Sequence, residues 1–187
     1  MLSEILGKIR YKLLLKWIKP ELLSLKDAEN RIINGTGVSN MTHISNIKNI
    51  VIGEDVFIGH FNYIDGYKKV YIGNGTQITN YVSILTHSSH DSLRLDPLNK
   101  NHFGLISGNV EIGEYCYIGA HTVIMPNSKL GKGCIVSAYS YVSGVFPDYS
   151  ILRGQPAKII GNTKTRDIEF LNSNPNAKTT YYEKEGL

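Results

Sequence analysis

The chain has 187 residues, a formal net charge of +4 and 42% hydrophobic residues. This length indicates one domain with modest extensions and a substantial core, and the mild charge gives no reason to expect a nucleic-acid partner. Two cysteines and no pattern of a signal peptide indicate a reducing, cytoplasmic compartment in which the thiols stay free. No run approaches the roughly 20 apolar residues that a membrane-spanning helix needs.

The first 19 residues have the pattern of an amphipathic helix that ends at Pro20. Basic residues occupy most of one side, and the apolar residues at helical spacing are Leu2, Ile5, Leu6, Ile9, Leu13 and Trp17. We expect the apolar face to pack on the first part of the domain and cover an open edge. The alternative is a peripheral contact of residues 1–19 with the anionic inner surface of the membrane.

From about Ile33 the aliphatic residues recur every six positions, with two steps of eight. A helix repeats at about 3.6 residues and a half-buried strand at 2, so a period of six indicates a short strand followed by a corner. Three such sides close a triangular coil of 18 residues, and stacked coils form a parallel β-helix. One step of eight, from Ile64 to Ile72, contains the turn-forming pair Asp65 and Gly66.

The repeat stops after Ile84, and the next twenty residues read LTHSSHDSLRLDPLNKNHFG. We assign the excursion to residues 85–105. It contains three of the six histidines: His87, His90 and His102. A long excursion from a regular stack is usually functional or disordered. The concentration of histidines makes it the main functional signal in the sequence.

The second half of the repeat is the most regular. Its aliphatic positions are Ile112, Ile118, Ile124, Leu130, Val136 and Val142. A second set of interior positions comprises Cys116, Thr122, Ser128, Cys134 and Ser140. Since Cys116 and Cys134 are 18 residues apart, we expect them to stack in adjacent coils about 4.8 Å apart. The repeat ends near Val145, and residues 164–172 have the composition of a short helix.

Three elements in this order resemble the hexapeptide-repeat acyltransferases, which are left-handed parallel β-helix enzymes. They are the hexapeptides IGEDVFIG and IGNGTQIT, the excursion LTHSSHD, and the closing segment PDYSILRGQPAK. The resemblance covers residues 33–161, with a helical segment at 1–32 and a tail at 162–187, and it is closest to sugar and polysaccharide O-acetyltransferases. It implies the left-handed sense, acetyl-CoA as co-substrate, a sugar or saccharide acceptor, and a homotrimer with active sites between subunits.

The resemblance also implies a catalytic histidine at the start of the excursion, often in the form Ser-His-Asp or Thr-x-His. Ser89-His90-Asp91 matches the first form, so we prefer His90 as the general base, with Asp91 fixing its tautomer. His87 is the alternative base, because one residue more than usual separates Ile84 from the motif. An alcohol is a poor nucleophile at neutral pH, and histidine, which titrates near 6.5, is the usual base. A backbone N–H in the corner after Ile118 is a candidate oxyanion donor.

Further site residues are implied by matching positions in the family. The positions along the pantetheine arm are Gly119, Ala120, Ala138 and Ser143. The candidates for the phosphates are Lys158 and Arg153, with Lys164 and Arg166 nearby. The candidates for the acceptor hydroxyls are Asn62 and Asp65. Each small corner residue, taken alone, is better explained by packing, and no metal is implied.

Two other activities on the same fold stay open at this stage. One is an N-acetyltransferase that acts on an amino-sugar nucleotide with the same histidine. The other is a metalloenzyme of the γ-carbonic-anhydrase type, which needs three histidine ligands; the spacing of His87 and His90 fits it poorly. A non-catalytic scaffold of stacked coils is a further alternative, against which the histidines of the excursion argue.

Overall fold

The computed structural model describes residues 5–10, 20–26, 32–96, 98 and 103–176. Over this part the chain winds as a parallel β-helix with three flat sides, which confirms the predicted all-β, left-handed hexapeptide-repeat fold. Each side of a coil is a strand of two or three residues, and strands of successive coils pair in parallel.

The three sides form sheets A, B and C. Sheet A consists of β1 (Leu22–Lys26), β2 (Ile32–Ser39), β5 (Phe57–Ile58), β8 (Gln77–Ile78), β13 (Tyr117–Ile118), β16 (Ile135–Val136), β19 (Ser150–Gly154) and β20 (Ala157–Asn162). Sheet B consists of β3 (His43–Ile44), β6 (Tyr63–Ile64), β9 (Ser83–Ile84), β14 (Val123–Ile124) and β17 (Tyr141–Val142). Sheet C consists of β4 (Ile50–Ile52), β7 (Val70–Ile72), β12 (Val110–Ile112), β15 (Lys129–Leu130) and β18 (Val145–Phe146). The chain always passes from A to B to C, so the corners line up as an A/B edge, a B/C edge and a C/A edge.

The core is the column of aliphatic side chains that the six-residue period predicts. The inward residues with no exposed surface include Ile58, Ile64, Ile78, Ile84, Ile118, Ile124, Val136 and Val142. The second predicted register is also buried, and its hydroxyl groups donate to backbone carbonyls, as Ser140 Oγ does to the carbonyl of Ser137 at 2.7 Å. Cys116 and Cys134 are buried, free and opposite each other in adjacent coils. Hydrogen bonding to Cys134 and burial raise the pKa of the Cys116 thiol.

The two ends of the stack are closed by antiparallel strands. At the first coil β1 pairs with β2, and at the last coil β19 and β20 form a hairpin. The predicted C-terminal helix is present as α3 (Thr163–Ser173), whose N-cap Asn162 accepts a hydrogen bond from the N–H of Thr165.

The N-terminal helix is described only in part. Residues 5–10 are helical and form α1, while 1–4 and 11–19 lie outside the described residues, so the amphipathic helix over 1–19 stays a prediction. Ile5, Leu6 and Ile9 are about half exposed. The expected packing of the whole face on the first coil stays a prediction, since its other apolar residues lie outside the described residues. None of the described helices has the length and apolar character needed to cross a membrane.

Candidate active site

The excursion leaves the stack at the B/C edge. It begins after β9 and contains β10 (His87–Ser88), the short helix α2 (Ser92–Leu95) and β11 (Ile106–Ser107). β10 and β11 pair antiparallel, with His87 opposite Ser107, and this pairing ties the two ends of the excursion together. His102 lies outside the described residues. The start of the excursion is thus held firmly against the coil, with His87 at its root.

At that root His87 contacts a buried carboxylate. Ile64 and Ile84 are register partners in adjacent coils, so the residues that follow them share a corner. Nδ1 of His87 lies 2.5 Å from Oδ2 of Asp65, which also accepts hydrogen bonds from the backbone N–H and hydroxyl of Thr86 at 3.0 and 2.9 Å. Oδ1 of Asp65 accepts the N–H of Tyr67 at 3.0 Å. Only 2% of Asp65 is exposed.

These hydrogen bonds keep the carboxylate ionised. Burial alone would raise the pKa of Asp65, but the hydrogen bonds from His87, Thr86 and Tyr67 outweigh it and hold that pKa below its ordinary value. A carboxylate accepts and does not donate, so Nδ1 of His87 carries the hydrogen. In the neutral ring the proton acceptor is then Nε2.

The rest of the imidazole is partly covered. The ring of Tyr67 lies 4.6 Å from that of His87, centroid to centroid, at an interplanar angle of 37°. The His87 side chain is 38% exposed, and no described residue hydrogen-bonds its Nε2. His87 therefore has the geometry of an oriented general base: one nitrogen fixed by a carboxylate and the other open to a ligand.

His90, the base preferred from the sequence, is in a different environment. Its Nδ1 lies 2.7 Å from the hydroxyl of Ser88, its Nε2 lies 3.5 Å from Asp91, and 57% of the side chain is exposed. Asp91 in turn contacts Arg94 at 2.5 Å. The extra residue before Ser-His-Asp places this motif in the loop and not in the corner. Asp91 is therefore not paired with a histidine in the corner, as Asp65 is. The geometry favours His87, and the preference for His90 is not kept.

Neither residue predicted to hold acceptor hydroxyls is available for that role. Asn62 is 3% exposed, and its side chain donates to the carbonyls of Gly59 and Thr79 and accepts the N–H of Val82. It therefore holds the corner together. Asp65 is buried against His87 and Thr86, so it orients the imidazole. Sequence reasoning placed Asp65 at the site but assigned it the wrong contact; the register of Ile64 with Ile84 is the signal that could have found the right one.

The residues predicted to line the pantetheine arm divide between two edges. Gly119, Ala120 and Ala138 lie at the A/B edge, and Ser143 lies at the B/C edge with His87. The N–H of Gly119 donates to the carbonyl of Val136 at 2.8 Å, so it is not a free oxyanion donor. A Cβ at Gly119 would lie 2.5 Å from the backbone nitrogen of Ala138, which means that stacking alone requires glycine here. Ala138 and Ser143 are exposed.

The A/B edge also carries a ladder of rings that sequence reasoning missed. Its members, one per coil and all in the left-handed region, are Phe61, Tyr81, His121 and Tyr139. Successive ring centroids are 5.2, 4.8 and 4.7 Å apart. His121 and Tyr139 directly follow Ala120 and Ala138, so the ladder borders the predicted cofactor residues. The signal available in the sequence was a ring residue three positions after the inward aliphatic residue of sheet A in four successive coils, as His121 follows Ile118 and Tyr139 follows Val136.

The cations predicted to meet phosphates lie at the C-terminal end of the stack. Arg153 and Lys158 are exposed register partners in the β19–β20 hairpin. Near them, Lys164 of α3 lies 5.8 Å from the ring of Tyr149. A cavity of about 360 Å³ opens beside α3 and is lined by Tyr115, Tyr117, Gly133, Ile135, Tyr149, Thr163, Arg166 and Asp167.

A larger cavity, about 800 Å³, lies on the outer face of sheet C toward the C/A edge and does not include His87. Within the part of the chain that the structure describes, no three His, Cys, Asp or Glu side chains come together as a metal site. The γ-carbonic-anhydrase alternative thus has no support from the described residues.

Comparisons with known proteins agree with this fold. The family model "Bacterial transferase hexapeptide (six repeats)" matches residues 106–144. The chain is 31% identical over 111 residues to the probable acetyltransferase Rv3034c of Mycobacterium tuberculosis, covering 59% of this chain and 36% of that protein. It is 29% identical over 116 residues to WbbJ of Escherichia coli, a putative lipopolysaccharide biosynthesis O-acetyl transferase, covering 59% of each chain. The chain thus spans about a third to three fifths of the length of these curated relatives.

Solved structures with the same architecture include two of acetyltransferases. The hexapeptide-repeat acetyltransferase VCA0836 from Vibrio cholerae has a TM-score of 0.60 at 25% identity, over 70% of this chain and 75% of that one; it has also been solved with acetyl coenzyme A. Galactoside acetyltransferase in complex with coenzyme A has a TM-score of 0.58 at 28% identity, over 68% and 62% of the two chains.

A third structure is a variant of AntD, an N-acyltransferase from Bacillus cereus, in complex with dTDP and coenzyme A. Its TM-score is 0.55 at 25% identity, over 74% of this chain and 86% of that one. Repeat, coil and excursion together are those of a hexapeptide-repeat β-helix. The chain is thus similar to hexapeptide-repeat acetyltransferases, and residues 106–144 carry the repeats that the family model matches.

Proposed function

We propose that this protein is an acetyl-CoA-dependent acetyltransferase that acetylates a hydroxyl group of a sugar or polysaccharide unit, with His87 as the general base and Asp65 as its positioning residue. The observation that carries the proposal is the 2.5 Å contact between Nδ1 of His87 and the buried carboxylate of Asp65. The acetyltransferases and CoA complexes among the similar proteins support the donor.

The proposed reaction uses both protonation states of His87, the neutral imidazole and the imidazolium. Nε2 accepts the proton of the acceptor hydroxyl while its oxygen attacks the thioester carbonyl, and a tetrahedral oxyanion forms. When the C–S bond breaks, the imidazolium returns the proton to the departing thiolate, which leaves as the CoA thiol. Asp65 stabilises the imidazolium during this cycle and keeps the tautomer fixed. The products are the acetyl ester and CoA, and no covalent acyl-enzyme is needed.

The division of the predicted cofactor residues suggests how the site is completed. The A/B edge, with Gly119, Ala120 and Ala138, and the B/C edge, with His87 and Ser143, lie on opposite sides of sheet B. In a homotrimer the B/C edge of one protomer would face the A/B edge of the next, and acetyl-CoA would lie between them. Arg153 and Lys158 remain the candidates for its phosphates.

Acetylation of an amino sugar is the second candidate, favoured by the likeness to an N-acyltransferase. A neutral amine is already nucleophilic and needs less help from a base. The pairing of His87 with the buried Asp65 favours the hydroxyl reaction, because an oriented base is most useful where the nucleophile is weak.

The test is to incubate the protein with acetyl-CoA and a panel of sugars, amino sugars and sugar nucleotides while following release of the CoA thiol. Mass spectrometry of the products then distinguishes the ester from the amide, since hydroxylamine cleaves only the ester. We expect thiol release that depends on a hydroxyl acceptor and is lost in His87→Ala. Transfer to amines alone would favour the second candidate, and no transfer to any acceptor would contradict the proposal.

A further inference from the structure

The corner of residues 65–69, which contains the two extra residues between Ile64 and Ile72, forms one wall beside His87. Three backbone hydrogen bonds fix it: the N–H of Tyr67 donates to Asp65 at 3.0 Å, that of Lys68 to the hydroxyl of Thr86 at 2.9 Å, and that of Lys69 to the side chain of Asn109 at 3.2 Å. Asp65 and Thr86 also hold the imidazole, so this corner is built into the same network as the proposed base.

Lys68 brings an uncompensated positive charge to this wall. Its ammonium lies 5.5 Å from the centroid of the Tyr67 ring, and that ring lies 4.6 Å from His87. Both Tyr67 and Lys68 are exposed. Among the described residues no carboxylate forms an ion pair with Lys68. Asp65 contacts His87, and Asp91 contacts Arg94.

From this geometry we infer that the acceptor is an anionic saccharide. One face of its sugar ring packs on Tyr67, its carboxylate or phosphate group binds Lys68, and its reacting hydroxyl points to Nε2 of His87. An aromatic ring offers an apolar face that suits the C–H face of a sugar, and an ammonium is a natural partner for either anion. This inference names the acceptor class of the proposed reaction and rests on that proposal.

The position of Lys68 separates it from the predicted cofactor cations. β6, which precedes this corner, and β17 are three coil steps apart in sheet B, and each step is about 4.8 Å. Arg153 and Lys158 lie beyond β17, in the terminal hairpin. Lys68 therefore lies several coil steps from the residues expected to bind the phosphates of CoA, which leaves it free to serve the acceptor.

The experiment compares matched acceptors and matched variants. Initial rates with acetyl-CoA are measured for methyl glucoside against methyl glucuronide, and for N-acetylglucosamine against its uridine diphosphate derivative, which distinguishes a carboxylate from a phosphate. Lys68→Gln is the test variant, and Lys69→Gln removes the same charge one residue away, where no contact with Tyr67 exists.

In at least one of the two acceptor pairs, we expect the unchanged protein to prefer the anionic compound over the neutral one by about tenfold or more in kcat/KM. A preference of this size corresponds to one charge-assisted contact. Lys68→Gln should remove most of this preference by raising the acceptor KM, with kcat and the KM for acetyl-CoA unchanged. Lys69→Gln should keep it. Raising the salt concentration should weaken the preference in the unchanged protein and have little effect on Lys68→Gln.

Equal use of neutral and anionic acceptors, or an anionic preference that survives in Lys68→Gln, would overturn the inference. So would a rise confined to the KM for acetyl-CoA, because Lys68 would then serve the cofactor. If no acceptor is acetylated, the proposed function fails, and the inference is judged by calorimetric titration with the same four compounds. Binding of an anionic member that Lys68→Gln abolishes supports it, and the absence of such binding overturns it.

Discussion

Nδ1 of His87 and Oδ2 of Asp65 lie 2.5 Å apart although 22 positions separate the two residues in the chain. They meet because Ile64 and Ile84 are register partners in adjacent coils, so the corners after them coincide. Thr86 completes the arrangement by donating two hydrogen bonds to the same carboxylate oxygen. Tautomer and orientation of the imidazole are therefore set by the coil and not by the loop.

Replacement of the two histidines should separate their roles. His87→Ala should lower kcat for acetyl transfer by about a hundredfold or more, on the scale of a lost general base. His90→Ala should change kcat by less than about threefold, since an exposed side chain away from the reacting atoms contributes little. Steady-state kinetics with circular dichroism as a folding control checks both. The reverse result would return the role of base to His90.

Asp65→Asn should impair the reaction while leaving His87 in place. An asparagine amide can donate to Nδ1, which favours the tautomer whose Nε2 carries the hydrogen and cannot accept a proton. We expect kcat to fall by at least about tenfold, with the KM for acetyl-CoA nearly unchanged. Titration of the imidazole by NMR in both forms reads the tautomer directly. An unchanged kcat would mean that Asp65 is only a structural residue.

The same carboxylate should make stability depend on pH in acid. Because the pKa of folded Asp65 is below its ordinary value, its ionised form stabilises the folded state above about pH 4, and that contribution is lost as the pH falls through the folded pKa. Urea unfolding between pH 5 and pH 2.5 should therefore show a steeper loss of stability for the unchanged protein than for Asp65→Asn. Parallel curves would indicate that the folded and unfolded pKa values are equal.

Because the corners of adjacent coils stack closely, replacing Gly113 by alanine should destabilise the protein far more than replacing Gly37. A Cβ at Gly113 would lie 2.6 Å from backbone atoms of Gly131 and Lys132, whereas a Cβ at Gly37 would lie 3.7 Å from the side chain of Leu22. Gly113→Ala should lower the free energy of unfolding by about 1–3 kcal/mol, as overpacking against rigid backbone does. Gly37→Ala, the control, should be close to neutral. Similar thermal midpoints for both variants would contradict this account of the corners.

A site shared between protomers predicts complementation. Ala138→Arg should block the exposed A/B edge, and His87→Ala should remove the base from the B/C edge, so each variant alone should be inactive. Co-expressed in equal amounts and mixed at random, they should regain about a quarter of the activity, because one in four interfaces pairs two intact edges. Sedimentation should show trimers throughout. No recovery in mixed trimers would place each site within a single protomer.

The sequence alone determined the architecture, because the aliphatic residues that fill the core recur every six positions along the chain. Ile58, Ile64, Ile118 and Ile124 had to be aliphatic to fill the column, and the segment after Ile84 could be recognised as an excursion because it lacks them. The histidines of that excursion were likewise visible. The local motif Ser89-His90-Asp91 suggested His90 as the base. Such a motif contains only residues that are close in sequence, so it does not show contacts between residues of adjacent coils.

Only the tertiary structure decided which histidine meets a carboxylate. That contact depends on which corners lie side by side: Ile64 pairs with Ile84, so Asp65 reaches His87, whereas Asp91 lies farther along the excursion. Burial turned Asn62 and Asp65 from expected acceptor ligands into structural and positioning groups, since their hydrogen bonds are made inside the corner. The six-residue repeat can be read along the chain. The contact between His87 and Asp65 depends instead on which corners of adjacent coils lie side by side.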